Sequence, residues 1–131
     1  MTRYVIDADV ALHLAAERAK VRSEHQIVAP TLIRSQVLSA LYGAVAREEL
    51  TKKEAEGQLD YLRGLRMRLL GDRVLQSVAW QVAAELGWQD TLTAEYIALT
   101  QLQADAFITL DAQLARAVEG RVPIAAYDAL L

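Results

Sequence analysis

Two apolar runs far apart in this chain each end in aspartate. Tyr4-Val5-Ile6 leads into Asp7-Ala8-Asp9, and Ala106-Phe107-Ile108-Thr109-Leu110 leads into Asp111. Each run is continuously apolar over a strand's length, as expected of a strand covered on both faces of a parallel sheet. In such sheets the working site lies outside the carboxyl ends of the strands. Carboxylates gathered there without basic partners repel one another until protons or a cation relieve them. Hard divalent cations such as Mg²⁺ and Mn²⁺ prefer such oxygen ligands. Asp7 and Asp111 are therefore candidate catalytic residues and metal ligands, with Asp9 as a further ligand. Each also fits a plainer role, because an Asp after a strand often caps the helix that follows.

The elements that must position these acids follow from hydrophobic spacing. Residues 3–7 read as the first strand, and a helix starts at about Asp9 with Leu12, Ala15, Ala16 and Ala19 on one side. The charged stretch from Glu17 to Glu24 reads as its solvated end. Ile27–Ala29 is a short second strand, and Pro30 suits the first turn of a helix. That helix runs from Thr31 to about Leu50, with Ile33, Val37, Ala40, Leu41, Ala44 and Val45 at helical spacing. Thr51-Lys52-Lys53-Glu54 is a capping-box pattern that opens a helix to about Leu62, with Gly64 as its stop. Residues 65–70 read as a third strand at a sheet edge. Asp72 caps a helix ending at Gly87, and Thr93 caps another running to Leu102. Strand 106–110, a helix over 112–118 stopped by Gly120, and a short strand over 122–125 complete the chain. Strands alternating with helices predict an α/β fold with a mostly parallel sheet.

The 131 residues suit a single domain, 1–131. With 53% hydrophobic residues the chain can bury a core, and disorder is not expected. The net charge of −3 argues against a high-affinity, nonspecific nucleic-acid binder, though not against a nuclease with a local basic patch. No cysteine is present, so thiolate metal sites and Cys nucleophiles are excluded, and a cytoplasmic location is expected. No run approaches the ~20 apolar residues that span a membrane, so no membrane association is expected. His13 and His25 share no metal-ligand spacing.

Four stretches in order carry a resemblance over nearly the whole length: Val5-Ile6-Asp7-Ala8-Asp9, Ala29-Pro30-Thr31-Leu32-Ile33, Ala94-Glu95-Tyr96-Ile97-Ala98-Leu99, and Phe107-Ile108-Thr109-Leu110-Asp111. The chain resembles the PIN domain, and within it the VapC-type toxins of bacterial toxin–antitoxin pairs. The resemblance implies a PIN-like three-layer α/β fold and a metal-dependent endoribonuclease. It also implies a weakly bound Mg²⁺ or Mn²⁺, a homodimer, and a VapB-like antitoxin as partner. The first acid of the family pattern falls on Asp7 and the last on Asp111. The second, a Glu in the helix after the Ala-Pro turn, falls on Gln36. The third, an Asp three residues before Tyr96, falls on Thr93. Thr109, two residues before the last acid, fits the pattern.

With two family acids replaced, the acidic site is depleted and weakened activity is expected. Asp9 adds charge beside Asp7, and Asp90 is a candidate extra acid if its helix starts early enough. Gln36 and Thr93 would support the site, with Gln36 bonded to Asp7 or Asp111. The alternative is a catalytically silent PIN-fold module that binds a VapB-like antitoxin or a sister PIN protein. Arg63, Arg66, Arg68 and Arg73 form the densest basic cluster. Arg66 and Arg68 are candidates for contact with RNA phosphate, although edge-strand arginines also discourage aggregation. Trp80 reads as packing, and Trp88 as a loop residue that packs or stacks on a partner. Asp7-Ala8-Asp9 is also similar to the Asp-x-Asp start of haloacid-dehalogenase-like phosphatases. Ala11 stands where that motif needs Thr, and the chain is short for that fold.

Overall fold

The computed structural model describes residues 1–131. Five strands form one parallel sheet: β1 (Thr2–Ile6), β2 (His25–Pro30), β3 (Met67–Leu70), β4 (Ala106–Ile108) and β5 (Ile124–Ala125). Their order across the sheet is β3-β2-β1-β4-β5. Six helices surround it: α1 (Ala8–Glu17), α2 (Leu32–Ala46), α3 (Lys52–Gly64), α4 (Arg73–Leu86), α5 (Leu92–Gln103) and α6 (Ala112–Val118). The α/β expectation and the edge position of β3 are met. No helix is long and apolar enough to cross a membrane.

The sheet's centre is where the two acidic strand ends meet. β1 and β4 are neighbours, with Val5 opposite Phe107 and Ile6 opposite Ile108. All four of these side chains are fully buried. The next residues on both strands therefore leave the same end of the sheet, and Asp7 and Thr109 are those residues. A slip of β4 by one residue would bring polar Asp105 or Thr109 into the buried part of this ladder.

Local chemistry sets the element ends. Thr51 and Glu54 complete the capping box, each side chain accepting from the other's backbone N–H. Asp72 accepts from Leu75 N at 2.9 Å to open α4. Gly87, at φ 70°, closes that helix in the left-handed conformation that glycine adopts without strain.

Several expected boundaries move. α1 stops at Glu17 because Arg18 turns left-handed and its N–H bonds back to Ala15 and Leu14; the charged stretch beyond is loop. Pro30 does not open a helix but ends β2, where its missing N–H falls at the finish of the ladder and Thr31 N bonds to Leu70 O instead. α2 ends at Ala46, short of Leu50, and buries Ile33, Val37 and Leu41 while Ala40 is exposed. β4 stops at Ile108, so Thr109 and Leu110 lie beyond the sheet. Trp80 is not a packing residue: it stands 74% exposed on α4.

Candidate active site at the carboxyl end of the sheet

Asp7 follows β1 directly and is the N-cap of α1. One carboxylate oxygen accepts from Val10 N at 3.0 Å, and the other accepts from the Thr109 hydroxyl at 2.7 Å. The Thr109 oxygen in turn accepts from Asp111 N at 3.2 Å. Thr109 thus ties the first acid to the backbone of the last, joining residues more than a hundred positions apart through β1–β4 pairing. Asp111 caps α6, one oxygen accepting from Gln113 N at 2.9 Å and Leu114 N at 3.1 Å. Its other oxygen is free of protein donors. Asp9 sits exposed in the first turn of α1.

Burial raises the pKa of Asp7, and the nearby charges of Asp9 and Asp111 push it in the same direction. The hydrogen bonds from Val10 and Thr109 oppose the rise without cancelling it. Asp7 therefore senses the charges of both other acids. Nevertheless, no three acidic or histidine side chains converge closely enough to form a complete protein cage for a metal ion.

Gln36 behaves differently from expectation. It bonds neither Asp7 nor Asp111; its side-chain oxygen accepts from the Tyr96 hydroxyl. Tyr96 is almost wholly buried. Burial, helped by the charges of Asp7, Glu95 and Asp9, raises its pKa far above the ordinary tyrosine value, so it remains a neutral donor. Tyr96 is the site-supporting residue that sequence reading alone does not single out. The signal for it was a tyrosine inside the buried run Ala94–Thr100, since a buried hydroxyl needs a partner.

The remaining candidates separate into two groups. Thr93, Asp90 and Asp111 line one cleft of about 420 Å³ together with Trp88, Gln89 and Gln113. Thr93 is not the cap of α5 but lies in its first turn; the cap position is Thr91, and Asp90 stands outside the helix, accepting from Leu92 N at 3.0 Å. Arg66 is not brought to the acids. It precedes β3 and lines a cavity with Lys20, Arg22 and His25 at the amino end of the sheet, so the length of β3, roughly 13 Å, separates it from the carboxyl end. Arg68 is exposed on β3, and Arg63 is paired with Asp60 at 2.7 Å.

The residues at the carboxyl end fit a hard divalent cation in part. Asp7 and Asp111 supply carboxylate oxygens, and mutual repulsion gives a cation something to relieve. Mg²⁺ commonly keeps several waters and is held by only one or two carboxylates together with substrate phosphates. A two-acid site suits that mode better than a dedicated cage.

Thr109 is expected to matter most when Asp7 is charged. Thr109→Val should cost about 1–2 kcal/mol at neutral pH by removing a donor to a partly buried carboxylate. The same loss should shrink as pH falls through the raised Asp7 pKa, because a protonated carboxyl needs that donor less. Urea unfolding at neutral and acidic pH measures both.

No protein-family model and no curated protein matches this sequence. Solved structures do. VapBC2 from Rickettsia felis, bound to a DNA fragment from its promoter, superposes with a TM-score of 0.67 at 10% identity, covering 95% of this chain and 98% of that one. PAE2754 from Pyrobaculum aerophilum gives 0.71 at 20% identity, covering 98% and 93%. VapBC-1 from nontypeable Haemophilus influenzae gives 0.62 at 12% identity, covering 96% and 98%. Over essentially its whole length, this chain has the PIN-like α/β fold that its sequence resemblance implied.

Proposed function

We propose that this chain is a metal-dependent endoribonuclease of the VapC toxin type, working with a depleted acidic site. The observation that carries the reading is the Asp7–Thr109–Asp111 linkage at the carboxyl end of the central strands. Asp7 and Asp111 hold Mg²⁺ or Mn²⁺ weakly, and Asp9 adds negative charge from the first turn of α1. When bound, the ion supplies activation of water and stabilisation of the leaving oxygen in phosphodiester hydrolysis. Thr109 holds the Asp7 carboxylate in place. Tyr96 fixes the Gln36 amide, which together with Thr93 orients water or ligands without adding charge. Because a single-stranded substrate brings its own phosphate oxygens, metal and RNA bind with mutual reinforcement.

A VapB-like antitoxin is the proposed protein partner, supported by two VapBC structures among the structural neighbours, and the active form is a homodimer. The test is cleavage of a mixed single-stranded RNA pool by the purified protein. Cutting in Mg²⁺ or Mn²⁺ that stops in EDTA supports the reading. Cutting that is indifferent to EDTA contradicts it.

A further inference from the structure

The cleft beside Asp111 contains chemistry that metal binding does not use. Trp88 lies on its wall, fixed where the Gly87 turn ends α4 and Trp88 N bonds back to Ala83 O at 2.9 Å. The indole is half-buried and packs on the core cluster. Gln89, Asp90 and Gln113 line the same cleft, and no Lys or Arg does. Its volume of about 420 Å³ falls in the small-ligand range of roughly 300–1,000 Å³.

A cleft with two carboxylates and no cation repels phosphate. It favours a flat, uncharged ring with hydrogen-bond donors on its edge. Indole faces are good platforms for bases of single-stranded nucleic acid, whose edges are then free to be read. Asp90 spends one carboxylate oxygen on Leu92 N, and its other oxygen has no protein donor. Guanine presents two adjacent donors, N1–H and the N2 amino group, which match a carboxylate. Uracil, adenine and cytosine each place an acceptor beside their donor and meet that carboxylate less well. The flanking glutamine amides have N–H donors suited to guanine O6.

We propose that this cleft is a nucleobase subsite in which Trp88 stacks on a base of single-stranded RNA and Asp90 selects guanine. The assignment rests on the ribonuclease reading, because it places the base next to the phosphate handled at Asp7 and Asp111. Trp88 and Asp90 are specificity-determining residues here, and neither holds the metal.

The chain has two tryptophans, and Trp80 is exposed on α4 outside the cleft. A Trp80→Phe background therefore makes Trp88 the sole indole reporter. Stopped-flow fluorescence titration in Mg²⁺, read before cutting sets in, would compare a uridine-only pentaribonucleotide with pentamers carrying one central guanosine, adenosine or cytidine. The expected result is quenching of Trp88 and roughly tenfold tighter binding of the guanosine pentamer. Asp90→Asn retains the cap to Leu92 through its amide oxygen, and it should bring the guanosine preference down to nearly none. Trp88→Ala, read by competition against a dye-labelled pentamer, should weaken binding roughly tenfold or more, whereas Trp88→Phe, which preserves packing and stacking, should stay within a few-fold. Absence of quenching, or equal affinity for all four pentamers, would overturn the proposal. Base-selective binding by a protein that cuts no RNA would keep the subsite and remove the ribonuclease reading instead.

Discussion

Asp7→Asn is expected to raise the melting temperature by about 3 °C at neutral pH without metal, and to abolish stabilisation by Mn²⁺. Burial, the largest influence on Asp7, lifts its folded pKa above the unfolded value. Below the unfolded pKa the carboxyl is neutral in both states and carries no penalty. As pH rises through the folded pKa, the folded state must hold a charge that burial, Asp9 and Asp111 all disfavour. The gain from neutralising it is therefore largest at neutral pH and fades in acid. Asparagine keeps the cap, since its amide oxygen accepts from Val10 N, and its NH₂ donates to the Thr109 oxygen. A gain of about 1 kcal/mol is ordinary for relieving a functional site, and for a chain of this size that is a few degrees. In the wild type, Mn²⁺ should raise the melting temperature by binding the folded state alone. A variant that melts lower at neutral pH, or still responds fully to Mn²⁺, would show that Asp7 is a structural cap and not a ligand.

Gln36→Glu combined with Thr93→Asp is expected to raise RNA cleavage by at least about tenfold and to tighten Mn²⁺ binding, since affinity for hard cations rises with the number of charged oxygens. The local structure accepts both changes. Tyr96 donates to the Gln36 oxygen, and a glutamate oxygen accepts the same bond. Thr93 lies in the first turn of α5 and lines a cleft with Asp111. An acid there is favoured by the helix dipole by about 0.3–1 kcal/mol. Without metal, the double variant should melt lower than the wild type, because two carboxylates join a site where Asp7 is already hard to ionise. Metal should restore the difference. A folded double variant with unchanged activity would mean that the missing acids are not what limits this site.

Much of this arrangement was legible in the chain because it follows from local rules. Apolar runs ending in Asp7 and before Asp111 gave adjacent strands of one parallel sheet, and Asp72, Gly87 and the Thr51–Glu54 pair set helix ends by capping chemistry that depends on a few neighbouring residues. What failed depends on the third dimension. Pro30 fits a helix start and a strand end equally well until the position of β3 is known. Thr93 looked like a cap because the actual start of α5 uses backbone at Thr91 and the side chain of Asp90. Arg66 and Asp7 lie at opposite ends of the sheet, which no spacing in sequence reveals. The Tyr96–Gln36 bond joins residues 60 positions apart, so only the tertiary fold makes Gln36 a partner of tyrosine instead of aspartate. Trp80 read as core by residue type, yet α4 buries Leu75, Ala79, Val82 and Ala83 and leaves the indole outside that face.

The most direct measurement is cleavage of a single-stranded RNA pool by wild type and Asp7→Asn, purified side by side, in Mn²⁺. The expected result is metal-dependent cutting by the wild type, with at least a hundredfold loss in a variant that is folded and melts no lower. Equal cutting by the two proteins, or none by a wild type saturated with Mn²⁺, would contradict a working nuclease centre at Asp7 and Asp111 and leave a PIN-like fold that only binds.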